Sequence, residues 1–219
     1  MNHSRIRWRN RLISLFPVIT RISGARRMLS AASQWRKEGW TVPPPYFVRR
    51  AMLLGEAQAV GAQVFVETGT FLGDTTWAFK KRFTNIHTIE VEPSLAALAR
   101  ERFRSHPQVE VIEGDSSRVL AELCSRIEAP CLFYLDGHYS GGITGMGDTE
   151  CPILAELDAI FDHLKGRFRI VIDDARLFCT DPAYPTLNDL RSYLIARNPL
   201  LEIRVENDAI LISENLRQS

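Results

Sequence analysis

No pair of cysteines in this chain has metal-finger or redox spacing. Cys124, Cys131, Cys151 and Cys179 stand 7, 20 and 28 residues apart, with no Cys-x-x-Cys pair and no histidine placed to complete a zinc finger. They read as buried thiols of a reducing compartment, which predicts a cytoplasmic protein without a disulfide framework. No apolar run reaches the roughly 18 residues that span a bilayer, and no secretory apolar segment precedes a small-residue cleavage site. Acids are absent from residues 1–37, which carry nine of the 27 Lys and Arg. The remaining eighteen bases face 26 acids, so a basic arm precedes a body of net charge −8. An acidic body excludes a nucleic-acid-binding core and leaves the arm as the one segment suited to a polyanion.

The arm has arginines at every second position from Arg5 to Arg11, then turns apolar through Leu12 to Ile19. Three readings are open. It could lie on an anionic membrane surface with Trp8, Leu12, Ile13 and Phe16 in the interface. It could be an organellar transit peptide, or a helical extension that packs on the body or on a second copy in a homodimer. Thr41-Val-Pro-Pro-Pro45 is stiff and extended because proline fixes φ and restricts the preceding residue, so the boundary is set there: an extension and linker over 1–45, a catalytic domain over 46–219.

From Tyr46 onward, short β-branched or aromatic runs alternate with segments of helical period. The predicted strands are Val64–Glu67, His87–Glu90, Val109–Ile112, Cys131–Leu135 and Arg169–Ile172. Predicted helices cover Ala51–Val60, Thr75–Phe83, Pro93–Ser105, Ser117–Ile127, Pro152–Leu164 and Thr186–Asn198. Two alternating runs, Glu202–Glu206 and Ala209–Ser213, flank Asn207-Asp208, a hairpin signal. Five alternations of strand and helix require right-handed crossovers and a parallel sheet covered on both faces. The expected fold is α/β, a doubly wound Rossmann-like sheet, mostly parallel, with a C-terminal antiparallel hairpin.

Each of the five strands ends, within a residue or three, in a carboxylate: Glu67, Glu90, Asp115, Asp136, and the pair Asp173 and Asp174. Ligands of open α/β sheets bind outside the carboxyl ends of the strands, so these acids gather along the binding edge. Any one of them alone would read as a loop residue or helix cap. A negative edge disfavours a pyrophosphate, and the first turn, Glu67-Thr-Gly-Thr-Phe-Leu-Gly73, has two glycines where a dinucleotide fingerprint has three. No phosphate-binding Gly-Lys-Ser/Thr loop is present either. An uncharged ribose and a cationic sulfonium suit this edge, and together they imply S-adenosylmethionine.

These residues carry a family resemblance. Glu67-Thr-Gly-Thr-Phe-Leu-Gly73 is similar to the first motif of class I S-adenosylmethionine-dependent methyltransferases, and Thr88-Ile-Glu-Val-Glu-Pro93 to their second. Gly114-Asp-Ser116, Leu135-Asp136 and Ile172-Asp-Asp174 complete the ordered series, which spans about Phe47 to Ser213. The resemblance implies a cofactor site built from Glu67, Thr68, Gly69, Gly73, Glu90, Asp115, Ser116 and Asp136. Gly69 and Gly73 would let the backbone approach the methionine end, Glu67 would lie beside its amino group, Glu90 ahead of Glu92 would hold the ribose, and Asp115 and Ser116 would line the adenine pocket.

Asp136, Asp173 and Asp174 resemble the acids of the metal-dependent small-molecule O-methyltransferases of catechol and macrolide-sugar type. Three such carboxylates would suit a hard octahedral cation, expected to be Mg²⁺. His138, in Asp136-Gly-His-Tyr-Ser-Gly-Gly142, resembles the general base of the sugar-type enzymes, with metal ligation as its other reading. His3, His87, His106 and His163 have no comparable setting. Phe178 to Pro185 would form the far wall of the pocket, with Tyr139 and Tyr184 able to stack on an acceptor. The function expected is methyl transfer to a hydroxyl of a small molecule or of a sugar or glycan precursor. Two rivals stand beside it: a noncatalytic, membrane-docked cofactor-binding scaffold, and a methyltransferase that needs no metal.

Overall fold

The computed structural model describes residues 43–137 and 151–214, together with 30, 33–35 and 37. By its internal contacts the chain divides between Arg49 and Arg50, and the sheet belongs to the second unit. The expectations for the basic arm, for His138 and Tyr139, and for the loop through Glu150 lie outside the described residues. No helix among the described residues is long and apolar enough to cross a membrane.

The elements run α1 (Tyr46–Val60), β1 (Val64–Thr68), α2 (Asp74–Phe79), β2 (Asn85–Glu90), α3 (Pro93–Phe103), β3 (Val109–Glu113) and α4 (Ser116–Ser125). They continue with β4 (Cys131–Leu135), α5 (Ile153–His163), β5 (Phe168–Ile172), α6 (Leu177–Thr180), α7 (Leu187–Arg197), β6 (Leu201–Glu206) and β7 (Ala209–Glu214). The seven strands form one sheet in the order β3-β2-β1-β4-β5-β7-β6, with β1 to β5 parallel and β7 antiparallel to both neighbours.

The central strands are apolar at consecutive positions because both faces of the sheet are covered. Val64 and Val66 of β1, with Cys131, Phe133 and Leu135 of β4, point to one face and pack with Leu120 and Leu123 of α4, Leu157 and Ile160 of α5, and Leu194 of α7. The alternate residues Phe65, Leu132 and Tyr134 point to the other face, against Leu53 and Ala57 of α1 and Phe79 of α2. Each fully buried aliphatic or aromatic side chain here contributes about 1.5–3 kcal/mol.

Three local differences from the sequence expectations have physical reasons. Helix α1 starts at Tyr46, five residues before Ala51, because the Pro45 carbonyl accepts from the Val48 and Arg49 N–H groups; the proline stretch leads directly into the helix. Helix α2 ends at Phe79, where Arg82 N–H closes a turn on the Phe79 carbonyl, and Phe83 lies beyond the helix with its ring stacked 5.2 Å from Phe65. The four-residue helix α6 lies where only aromatic and proline residues had been noted. Among the thiols, Cys124 and Cys131 are buried as expected and Cys179 is exposed. Burial pushes the Cys124 thiol up to about 12 and Cys131 well above its ordinary value.

Candidate active site

Strand order reverses between β1 and β4, which opens a crevice at their carboxyl ends. Parallel register puts Thr68 beside both Ile89 and Leu135, and Leu135 beside Ile172, so the residues that follow these strands emerge on one edge. The crevice is narrow at its root. Asp136 N–H donates to the Thr68 carbonyl at 3.2 Å, and a Cβ on Gly69 would stand 2.3 Å from the Asp136 carbonyl oxygen, with φ at +82°. Glycine is required there by space and by backbone conformation alike. Gly73, at φ +71°, ends the same turn against the Phe103 ring.

The carboxylates at the strand ends are disposed of in different ways. Glu67 is buried, and its Oε2 accepts the hydroxyls of Thr76 at 2.6 Å and Thr88 at 2.8 Å. Thr88 in turn lies 2.6 Å from the Thr70 hydroxyl. Burial raises the Glu67 carboxyl to about 7 against these hydrogen bonds, with the Glu90 charge adding to the rise. Glu90 is also buried, but its two oxygens face two loops: Oε2 accepts Phe71 N–H at 2.7 Å and Oε1 accepts Glu92 N–H at 3.0 Å. It therefore clamps the turn after β1 to the turn after β2, and holds Phe71 at φ +47°. Glu92 caps α3 through Ser94, as Asp115 caps α4 through Ser117, whose N–H and hydroxyl lie 2.9 and 2.6 Å from Asp115 Oδ1. Ser116, beside that cap, is buried.

Asp136 and Asp173 leave adjacent strands and converge on Tyr134. Its hydroxyl donates to Asp173 Oδ2 at 2.6 Å and stands 3.1 Å from Asp136 Oδ2. Asp174 does not join them. It sits at φ +56°, and its Oδ1 accepts the Arg176 guanidinium at 2.8 Å; the same guanidinium reaches Asp208 in the β6–β7 turn. Asp136, Asp173 and Asp174 are the carboxylates expected at a metal centre, and Tyr134 and Arg176 are their partners. Among the described residues no group of three or more His, Cys, Asp and Glu is placed to hold a metal ion, and the third carboxylate has taken a guanidinium as its counter-ion.

Residues that sequence reasoning passed over complete the edge. Glu156, in the first turn of α5, is fully buried and lines a small cavity with Leu135, Gly137, Ile172, Asp173 and Tyr184. Its carboxyl is raised to about 7 by burial, opposed by hydrogen bonds from Ser116 and Thr68. An acid in the first turn of a helix reads from sequence as dipole complement alone, and only the packing of α4 against α5 brings it to the edge. Of the segment Phe178 to Pro185, expected to wall the pocket, Phe178 and Tyr184 line that cavity, their rings meeting edge to face at 5.1 Å.

The residues present fit the cofactor implied by the sequence. The glycine turn folds tightly onto the Asp136 backbone and the Phe103 ring at the strand ends, Glu90 ends β2 with a carboxylate at the edge, and Asp115 and Ser116 follow β3. No family model and no curated protein matches the chain. Solved structures do. A putative caffeoyl-CoA O-methyltransferase from Staphylococcus aureus superposes with a TM-score of 0.57 at 13% identity, covering 89% of this chain and 97% of that one. The SAH-bound methyltransferase PaMTH1 of Podospora anserina gives 0.56 at 17%, covering 92% and 97%. The O-methyltransferase TomG of Streptomyces achromogenes, in complex with SAM, gives 0.56 at 19%, covering 84% and 86%. At these identities the likeness establishes the fold alone, one this chain shares with these methyltransferases.

Proposed function

We propose that this chain is an S-adenosylmethionine-dependent methyltransferase that acts on a hydroxyl of a small molecule or of a sugar or glycan precursor. One observation carries the reading: the glycine turn after β1, Glu90 after β2 and Asp115 after β3 stand in succession along the switch-point edge of a fold shared with SAM- and SAH-bound methyltransferases. Glu90 would hold the ribose, since a carboxylate has about four acceptor sites and backbone N–H groups use two of them. Asp115 and Ser116 would border the adenine, and Thr68, Gly69, Gly73 and the Asp136 backbone would surround the methionine end. The cofactor supplies an electrophilic methyl group. Beyond that, the chain's work is to position the acceptor hydroxyl and exclude water, effects able to supply a large share of the rate. His138 remains the proposed proton acceptor on sequence grounds.

The Asp174–Arg176 pair favours the metal-independent form of this activity. With a guanidinium on Asp174, two carboxylates rather than three are left on this side, and turnover indifferent to EDTA would support the metal-independent form while EDTA-sensitive turnover would overturn it. Calorimetric titration with S-adenosylhomocysteine, run beside transfer of tritiated methyl to a panel of hydroxyl acceptors, tests the whole reading. Micromolar binding with turnover is expected. Binding without turnover on any acceptor would favour the scaffold reading, and no binding would remove the cofactor.

A further inference from the structure

Glu156 is 1% exposed, yet its carboxylate is only half used by the core. Ser116 and Thr68 hydrogen-bond to it, while Oε1 has no hydrogen-bond partner. A buried acceptor left without a donor is costly, and native interiors rarely leave one unless something else fills the place. Gly137 keeps the approach open: a Cβ there would stand 3.2 Å from Oε1. The oxygen lines a cavity of about 20 Å³ whose walls include Leu135, Ile153, Ile172, Phe178 and Tyr184. That volume holds one hydroxyl-sized group. A hydroxyl needs one good acceptor, whereas an ammonium brings three donors into walls that are mostly hydrocarbon.

We propose that Glu156 Oε1 accepts a hydrogen bond from a hydroxyl of the methyl acceptor, so that this cavity is the polar anchor of the acceptor pocket. The inference rests on the methyltransferase reading and names its substrate-binding residue. Glu156 lines this cavity together with Asp173 and Tyr184. Burial and the Asp115 charge both disfavour the ionised carboxylate, and a hydrogen bond donated by a hydroxyl stabilises it.

The test uses the full chain, tritiated S-adenosylmethionine, and catechol, methyl glucopyranoside and methyl rhamnopyranoside as acceptors. Glu156→Gln should raise KM for the accepted compound about tenfold, and Glu156→Leu, which has no acceptor atom in any orientation, should raise it further. Affinity for S-adenosylhomocysteine should stay within twofold, and the thermal midpoint of Glu156→Gln at pH 8 should not fall. A purely structural carboxylate would show the reverse, with stability lost and KM unmoved. With the wild type, the analogue lacking one hydroxyl, phenol in place of catechol or the corresponding deoxy sugar, should lose as much as the Gln variant does. That analogue should lose little more when the two changes are combined. An unchanged KM in both variants overturns the proposal. Cofactor binding without turnover on any acceptor removes the parent reading of the acceptor and this anchor with it, while failure to bind S-adenosylhomocysteine removes the cofactor reading instead.

Discussion

Replacing Glu67 by glutamine should make the protein's stability less dependent on pH, because the folded chain holds this carboxyl in its neutral form. The group is raised from an ordinary 4.5 to about 7, first by burial and then by the Glu90 charge. The folded state therefore binds more protons than the unfolded state between these values, and stability falls as pH rises from about 4.5 through about 7. Holding the proton up to about 7 rather than 4.5 makes the ionised form cost about 3 kcal/mol well above neutrality. Glu67→Gln removes that cost while its amide oxygen can still accept the Thr76 and Thr88 hydroxyls. Urea unfolding at pH 5 and pH 8, followed by tryptophan fluorescence, reads the difference. The variant should gain about 2.5 kcal/mol on the wild type in moving from pH 5 to pH 8, since part of the cost is already present at pH 5, while Glu156 contributes equally to both proteins and cancels. A variant-minus-wild-type difference that is the same at the two pH values would show that Glu67 is ionised in the folded chain, and the burial argument would be wrong.

Glu90→Ala should weaken S-adenosylhomocysteine binding at least tenfold by calorimetry, since hydrogen bonds to a charged group contribute about 1.5–3 kcal/mol each, whereas Glu92→Ala should cost only about 1 kcal/mol of α3 capping and leave affinity near wild type. Gly69→Ala places a Cβ 2.3 Å from the Asp136 carbonyl and should abolish cofactor binding; a variant that binds normally would show that the crevice is not the site. Removing residues 1–37 takes away nine positive charges and no motif residue, so turnover should persist while any salt-sensitive association with anionic vesicles disappears, as measured by co-sedimentation.

The order and type of the elements were legible because a sheet buried on both faces writes itself as short apolar runs, and each of the five parallel strands fell within two residues of its predicted bounds. The hairpin was legible too: Asn207 and Asp208 both adopt positive φ, as a two-residue turn between antiparallel strands requires. Helix ends were less so. Phe83 continues the apolar period of α2 yet packs its ring on Phe65 from a turn, and hydrophobic period cannot distinguish these two ways of reaching the same core. At the site, the sequence marked the carboxylates but not their counterparts. Glu156 lies eleven or more residues beyond the nearest motif and reaches the edge only because α5 packs on α4, a contact with no local signature.

The row of acids also shows why position on an edge does not define a shared role. Glu67 and Glu156 are raised to about 7 by burial, and Glu92 and Asp115 are used by helix N-termini. Asp174 takes its direction from the far end of the chain. Ala175 N–H donates to the Asp208 carbonyl and Arg176 N–H to Asp208 Oδ1, which ties the segment after β5 to the β6–β7 turn and brings the Arg176 guanidinium between the two aspartates. Asp174 could turn back toward Asp136 and Asp173 only by leaving that guanidinium and abandoning a backbone conformation fixed by the hairpin. The antiparallel strands, which read in the sequence as a mere closing hairpin, thus decide the partner of Asp174, while Asp136 and Asp173 gather at the Tyr134 hydroxyl, 3.1 and 2.6 Å from it.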